Sequence, residues 1–574
     1  MYRGLWKYLS HYKLLLTAAM ALNILAGVLA INGTSLAGNA IGAIADPQEH
    51  SVYYYLMVMT VYYVISSVIA YVLHVLMIRL SQKIVNKMRI DVYDKLIELP
   101  VGFFDTHQAG ELVSTVSYDI NTVNESLSSD FMSLITSAVT IVYSFILMLT
   151  VSPKLILVFC FTIPLSIVYT NVVTRIVRPI FRRRSIVLGE MNGYVEEMIA
   201  GQKTIRSYGA EEAVIAGFDE KNAASTEAYT KAEANGTLMG PGVNFINNLS
   251  LALVNIFGAV VYMNGGIDLT GLSKFVLLSR KFSGPINQIA NIYSDLQSAL
   301  AAAERVFRLI DEEPEPADKP EALKLTDVRG EVTFDHVKFG YVENKIILKD
   351  LSFVAKPGSV TAIVGPTGAG KSTIINLLMR FYDITDGSIR IDGTDIRDMT
   401  RESLRHAFTM VLQETWLFTG TIYENIAYGK EGVSRERVEE VCRAAGIHDF
   451  IESLPDGYDT VMTESGMNIS KGQKQLLTIA RAMLIDSSIL ILDEATSNVD
   501  STTEKEISDA MVRLMQGKTC FVIAHRLSTV READVILVVR DGDIIEQGTH
   551  DSLLAAGGFY RDLYYSQFET ETER

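Results

Sequence analysis

Apolar residues run through the first half of the chain in stretches far longer than one helix face or one strand needs. Six of them, at roughly 14–44, 52–78, 131–149, 155–173, 243–263 and 272–292, have membrane length. A hydrocarbon core about 30 Å thick takes about 20 residues at a helical rise of about 1.5 Å. The second and fourth runs continue as polar helical patterns toward Leu99 and Glu212, which predicts helices projecting well beyond a bilayer. The first run is too long for the apolar region of a signal peptide and lacks a convincing cleavage site, so it predicts a retained span.

Lysine and arginine fall on one side of these spans. The connection between the first two carries Asp46 and Glu49, the next on that side is a tight turn with Lys154, and the third carries Asp268. The opposite connections hold Lys83, Lys87, Arg89, Lys95, Arg175, Arg178, Arg182, Arg183, Arg184, Lys203 and Arg206. Basic residues mark the cytoplasmic side, so both termini are expected inside. The Arg182-Arg183-Arg184 run reads as a solvated face of that side.

After Ile310 the pattern changes abruptly. Asp311-Glu312-Glu313-Pro314-Glu315-Pro316 and Lys319-Pro320 form a short acidic, proline-containing linker. Beyond Gly330 no membrane-length run remains. Short β-rich runs at 360–364, 489–492 and 520–524 alternate with helical stretches instead. That alternation predicts an α/β domain with a largely parallel central sheet. The expected organisation is an α-helical membrane domain of six transmembrane helices over 1–310, a linker over 311–329 and the α/β domain over 330–574.

Composition agrees with the split. The 574 residues are 48% hydrophobic yet 21% charged, with a mean hydropathy of +0.21, as a lipid-embedded part joined to a water-soluble part requires. A formal net charge of -16 implies no basic face and argues against a nucleic-acid partner. Cys160, Cys442 and Cys520 are scattered without metal-ligand spacing, which suits free thiols in a reducing compartment.

The chemistry concentrates in the second half. Gly365-Pro366-Thr367-Gly368-Ala369-Gly370-Lys371-Ser372-Thr373 fits the phosphate-binding pattern G-x-x-x-x-G-K-[ST] between a predicted strand and a predicted helix. Glycines let successive N–H groups curl around phosphate oxygens without a Cβ clash. The helix N-terminus adds positive potential, Lys371 reaches the outer phosphates, and the Ser372 hydroxyl is placed to ligate Mg²⁺. An accidental glycine-rich turn is the bland alternative, and the strand–loop–helix context argues against it. Further on, Ile489-Leu490-Ile491-Leu492-Asp493-Glu494 delivers two carboxylates at the end of an apolar strand, where α/β sheets hold ligands. Asp493 is expected to hold Mg²⁺, and Glu494 to polarise an attacking water as general base.

These elements fit many nucleotide hydrolases. The stretch Asn468-Ile469-Ser470-Lys471-Gly472-Gln473-Lys474-Gln475 resembles the signature motif of ATP-binding cassette (ABC) transporters, usually written LSGGQ. Gln413 is similar to the family's Q-loop, and Asp500 in Ser497-Asn498-Val499-Asp500 to its D-loop. His525 looks like the switch histidine, and Tyr341 in Phe339-Gly340-Tyr341 matches the aromatic that stacks on adenine. The resemblance spans the whole chain, since six spans with long cytoplasmic helices look like the exporter-type membrane domain.

The resemblance implies a P-loop ATPase domain of the ABC type, using ATP and Mg²⁺, with Ser372, Gln413 and Asp493 around the metal. It also implies a dimer of half-transporters. Two nucleotide domains would meet head to tail, each ATP lying between the phosphate loop of one subunit and the signature of the other. Ser470 and the helix N-terminus after it would then face the γ-phosphate across the interface, with Gly472 and Gln473 beside it. His525 would contact the same phosphate and Gln413 would report its presence to the membrane domain. Turns around Phe103-Phe104-Asp105 and around 208–218 are expected to transmit the motion.

One departure matters. Lys471 replaces the first glycine of the signature pair, putting a long cationic side chain where backbone should approach a nucleotide closely. In this the chain resembles one subunit of the heterodimeric bacterial exporters, and a heterodimer is favoured over a homodimer.

Cargo clues are fewer. Arg280 and Lys281 lie about nine residues into the sixth span, about 14 Å deep by helical rise, where charge is costly and faces a cavity or a partner. A translocation path touching anionic or amphiphilic molecules and a plain helix-interface role weigh equally. Tyr53, Tyr54, Tyr55, Tyr62 and Tyr63 are better explained as interfacial anchors than as a drug-binding wall.

The expected function is outward, ATP-driven movement of hydrophobic or amphiphilic small molecules across a bacterial plasma membrane, among membrane lipids. A lipid or peptide flippase shares every motif, and an importer on the same fold is the weaker alternative. The absence of a protease-like extension before the first span disfavours a leader-peptide exporter. A regulatory ATPase that does not pump would be expected to have lost Glu494 or His525, and neither is lost.

Overall fold

The structure is a computed structural model of the chain. It describes residues 2–45, 52–342, 345–413, 415–430, 432–462, 469–493, 501–524 and 530–567. The chain forms two compact units, Met1–Glu98 with Gln108–Glu312, and Leu99–His107 with Glu313–Arg574.

The first unit is helical throughout. It opens with a short helix α1 (Tyr2–Ser10), then α2 (Lys13–Ala45) and α3 (Val52–Glu98). The stretches Ala109–Val151, Pro153–Ala200 and Glu211–Met263 follow. Among the described residues, these three, α2 and α3 are the helical stretches long and apolar enough to cross a membrane. The sixth expected span also forms, inside the helix Leu269–Ile310, but Lys274, Arg280 and Lys281 interrupt its apolar run.

At 47 residues α3 is about 70 Å long, more than twice a hydrocarbon core, as its polar continuation predicted. The fourth span stops earlier than expected. It ends at Ala200 rather than near Glu212, because Gly201 leaves helical geometry and a separate helix, Gln202–Tyr208, begins there.

Several polar groups between these helices find partners across them, as a solvent without hydrogen bonds favours. The Asn23 amide donates to the Met132 carbonyl at 3.1 Å and accepts from the Thr136 hydroxyl at 2.8 Å. Thr162 and Ser250 share a bond of 3.1 Å. The helix Leu269–Ile310 comes closest to α2 at Gly38 and Gly42. A Cβ on Gly38 would stand 2.8 Å from the Lys274 backbone nitrogen, so only glycine permits that approach. Lower on the same helix, Arg305 grips the buried Asp119 with two bonds of 2.9 and 2.5 Å.

The second unit contains α4 (Val101–Thr106) and an α/β core. An antiparallel sheet of order β2-β1-β4-β5 is built from β1 (Val332–Phe339), β2 (Leu348–Ala355), β4 (Asp386–Ile391) and β5 (Thr394–Asp395). The main sheet has order β12-β11-β3-β10-β9-β6. Its strands are β3 (Val360–Val364), β6 (Phe408–Val411), β9 (Ile489–Asp493), β10 (Thr519–Ile523), β11 (Val535–Arg540) and β12 (Asp543–Gly548). A small pair, β7 (Gly420–Thr421) and β8 (Val461–Met462), completes the set among the described residues.

Only β12 runs against its neighbour in the main sheet. The predicted apolar runs are its buried central strands. Leu490, Leu492, Cys520 and Val522 face one core, while Ile489, Ile491, Phe521 and Ile523 face the other. Burial on both faces is why those sequences are apolar at every position instead of at every second one. The antiparallel sheet was not foreseen, since its strands alternate weakly and are broken by register shifts.

The acidic linker is not a free tether. Arg401, nearly buried, donates to Asp318 and to Asp383, each at 3.1 Å. Arg380 reaches Asp383 at 2.9 Å, and Arg405 pairs with Glu315. Three arginines of the α/β core thus hold two carboxylates of the acidic linker, Glu315 and Asp318. Replacing Arg401 by alanine removes the guanidinium joining Asp318 to Asp383, and the expected loss is about 3 kcal/mol of stability. Denaturant unfolding of the purified chain measures it. Arg401→Lys should recover only part, because a point charge cannot span two carboxylates as a planar fork does.

Candidate functional site

Parallel pairing puts the carboxyl ends of β3, β10, β9 and β6 along one edge. Ile523 stands opposite both Ile363 and Asp493, and Val411 opposite Leu492. From that edge emerge the loop after Val364, Asp493 at the tip of β9, and exposed Gln413 just past β6. Ligands of α/β sheets collect at such an edge.

The loop Gly365–Gly370 joins β3 to the helix Lys371–Leu378. Gly365 has φ 155°, and a Cβ there would come within 2.1 Å of the Val539 carbonyl oxygen. Gly370 caps the helix at φ 106°, in the left-handed region. Pro366, Thr367 and Gly368 are exposed along the rim, while Ala369 is buried beneath them. The loop is thereby bent into a cradle with the unpaired N–H groups of the helix's first turn at its end.

The Lys371 ammonium lies in this cradle, donating to the carbonyls of Gly365 at 2.7 Å and Pro366 at 3.0 Å. Burial lowers its pKa from the ordinary lysine value, while the Asp493 carboxylate pulls the other way. A half-buried cation hydrogen-bonded to neutral carbonyls is one that phosphate oxygens would pair better. Ser372 presents its hydroxyl to solvent beside it, and buried Thr373 accepts from the Tyr341 hydroxyl at 3.2 Å.

Tyr341 is itself 44% exposed, an aromatic face open to a base, with Asn376 also bonded to its hydroxyl at 3.2 Å. These residues fit a nucleotide triphosphate. No group of three or more metal-ligating side chains occurs among the described residues. Mg²⁺ characteristically binds through one or two carboxylates plus substrate phosphates and waters, so the Asp493 carboxylate with the Ser372 hydroxyl and the Gln413 amide oxygen would fit it without a cage.

The signature residues sit apart from this cradle within the unit, at the start of the helix Lys471–Leu484. Ser470 caps that helix, accepting from the Gln473 N–H at 3.2 Å while Gln473 accepts from the Ser470 N–H at 3.0 Å. The capping bond uses the hydroxyl as acceptor and leaves its proton to donate outward. Gly472 is buried, and Lys471 is exposed at the first helical position, so the substitution for glycine costs the fold nothing locally. Glu494, Asp500 and His525 lie outside the described residues.

In the first unit, Arg280 and Lys281 are exposed, while Phe275, Leu278 and Phe282 of the same helix are buried. Lys274 stands about two helical turns before Lys281, on the same face, and was overlooked. Tyr382 was overlooked too. Its ring meets Tyr341 edge-on, with centroids 4.9 Å apart at 87°, and its hydroxyl donates to Asp105 of α4. A Cβ on Gly102 would lie 2.8 Å from the same ring. The turn expected to carry motion therefore touches the aromatic that flanks Tyr341. The only hint in the sequence was the position of Tyr382 shortly after the phosphate-loop helix.

Two families match the chain: the ABC transporter transmembrane region over residues 16–286, and the ABC transporter family over 348–497. The ABC transporter ATP-binding protein YfiC of Bacillus subtilis (strain 168) is 41% identical, covering 99% of this chain and 94% of its own. A fatty acid ABC transporter ATP-binding/permease protein of Mycobacterium bovis is 44% identical over 84% of this chain and 76% of its own. Among solved structures, a bacterial Atm1-family ABC exporter with ATP bound has a TM-score of 0.78 at 29% identity, covering 97% of this chain and 98% of its own.

The chain belongs to the ABC transporter family. Within that family it is an exporter-type half-transporter, a membrane-spanning ATP hydrolase that drives export and works as a dimer.

Gly365→Ala tests the cradle directly. The added methyl meets the Val539 carbonyl, so ATP affinity should fall at least about tenfold, a cost of about 1.4 kcal/mol. Equilibrium binding of a fluorescent ATP analogue measures it.

Proposed function

We propose that the chain is one subunit of a heterodimeric exporter in a bacterial plasma membrane, moving amphiphilic small molecules outward with both termini in the cytoplasm. The observation that carries the cargo class is the charge on the helix Leu269–Ile310. Its buried face is aromatic and aliphatic, yet Lys274, Arg280 and Lys281 occupy the remainder, with no ion pair among the described residues. Charge at membrane depth faces water or a partner. A water-filled path lined by cations and apolar side chains suits a molecule with an apolar body and an anionic or polar head. The name of the mycobacterial relative, a fatty acid transporter, supports the same class. The orientation rests on the side taken by lysine and arginine.

In this reading residues 1–310 are the membrane domain, 311–329 the linker and 330–574 the nucleotide-binding domain. Gly365, Pro366, Thr367, Gly368, Ala369, Gly370, Lys371 and Thr373 hold the phosphates, and Tyr341 stacks on adenine. Ser372, Asp493 and Gln413 hold Mg²⁺, which supplies charge neutralisation on the phosphate oxygens. Glu494 takes the proton of the attacking water and His525 steadies the γ-phosphate. Ser470, Lys471, Gly472 and Gln473 close the partner subunit's site, with Asp500 at the seam. A helix N-terminus whose cap proton points outward supports that role for Ser470. The lysine at position 471 favours a different chain as partner: in a homodimer both sites would carry it, whereas in a heterodimer only the site facing this signature would.

Glu494→Gln should abolish vanadate-sensitive ATPase in the reconstituted dimer while leaving ATP binding intact. Native mass of this chain expressed alone, with ATPase rate on the same sample, tests the partner. A monomer or an inert dimer rescued by a second half-transporter supports the heterodimer, and an active dimer of this chain alone removes it. Replacing Arg280 and Lys281 by alanine should reduce the stimulation of ATPase by a fatty acid several-fold, with basal hydrolysis unchanged.

A further inference from the structure

The short helix α1 is pinned on one side only. Gly4 lies flat on the Phe307 ring, where a Cβ would stand 3.1 Å from it. The Tyr8 hydroxyl donates to Asp91 at 2.5 Å, and Lys87 pairs with the same carboxylate at 2.7 Å. On its other side α1 does not close against its neighbours. Trp6, with Leu16 and Met20 of α2, roofs a cavity of about 220 Å³ floored by Met77, Leu80 and Ile84 of α3.

The cavity is apolar because its polar residues are already committed. Ser81 donates to the Ile78 carbonyl at 3.0 Å and Thr17 to the Leu14 carbonyl at 2.9 Å, each within its own helix. Water has nothing to hold it in such a space. Lys13 is the single charged lining residue among the described residues, and it is exposed. Residues 1–45 carry Arg3, Lys7 and Lys13 and no aspartate or glutamate, so no acidic group of this segment competes for that ammonium.

We propose that this cavity binds one acyl chain of an anionic phospholipid, with the headgroup phosphate paired to Lys13. The pairing of a partly open apolar hollow with a single cation matches the two ends of such a lipid. A zwitterionic lipid offers the same chain but brings its own cation to the phosphate, and gains less from Lys13. A segment of protein would leave its backbone groups unpaired against walls that offer neither donors nor acceptors. The cavity shares no lining residue with the phosphate cradle or with Arg280 and Lys281, and the proposal does not depend on which cargo is carried.

The chain has two tryptophans, Trp6 and Trp416, so Trp416→Phe, assembled with a second subunit whose tryptophans are replaced by phenylalanine, leaves Trp6 as the reporter. The assembled transporter is placed in phosphatidylcholine vesicles containing a minor fraction of phosphatidylglycerol or phosphatidylcholine brominated on the acyl chain. Brominated phosphatidylglycerol should quench Trp6 at least twofold more than brominated phosphatidylcholine at equal fraction. Lys13→Glu should erase the difference. So should the cavity-filling pair Met77→Phe and Ile84→Phe, with an unchanged melting temperature confirming that the fold survives. Equal quenching by the two lipids in the parent protein would mean bulk lipid contact only and would overturn the proposal. An excess that survives both sets of substitutions would overturn it as well, as would a Trp6 insensitive to either lipid because the partner subunit covers the cavity.

Discussion

A desolvated cation at the edge of a parallel sheet organises the nucleotide unit. The Lys371 ammonium is half withdrawn from water and donates to two neutral carbonyls, an arrangement that becomes more favourable when anionic oxygens enter the cradle. Everything around it follows from keeping that position open. Gly365 and Gly370 have no side chain because a Cβ would strike neighbouring backbone at the first and leucine at the second. The strands beneath are parallel, which brings Asp493 and Gln413 to the same edge from distant parts of the sequence. Parallel strands need both faces covered, and two separate cores provide that cover.

In the membrane unit the governing constraint is the opposite one: charge must be minimised, and hydrogen bonds must close within the protein. Asn23, Thr136, Thr162 and Ser250 obey it by bonding across helices. Lys274, Arg280 and Lys281 do not obey it, and they share one helix. All three lie off the buried face that Phe275, Leu278 and Phe282 form on that helix.

Much of this was legible in the sequence. The long apolar runs became helices, and the central strands lie where uninterrupted apolar residues predicted them. The phosphate loop was readable because its requirements are local: glycines at fixed offsets, then lysine and a hydroxyl. What escaped reading depends on contacts distant in sequence. Tyr382 acquires its role from Asp105, some 277 positions away, and no periodicity announces such a pairing. The antiparallel sheet was hidden by register shifts that break its alternation. The contacts of the acidic linker were hidden for a related reason. Composition shows the carboxylates but not the arginines that wait for them.

That clamp also sets the length of a leash. The last membrane helix ends at Ile310, and the grip of the arginines begins at Glu315, leaving four residues between them. Fully extended, four residues reach about 14 Å. The α/β unit can therefore not move further than that from the end of the helix that bears it, and any larger displacement must pull on the helix itself.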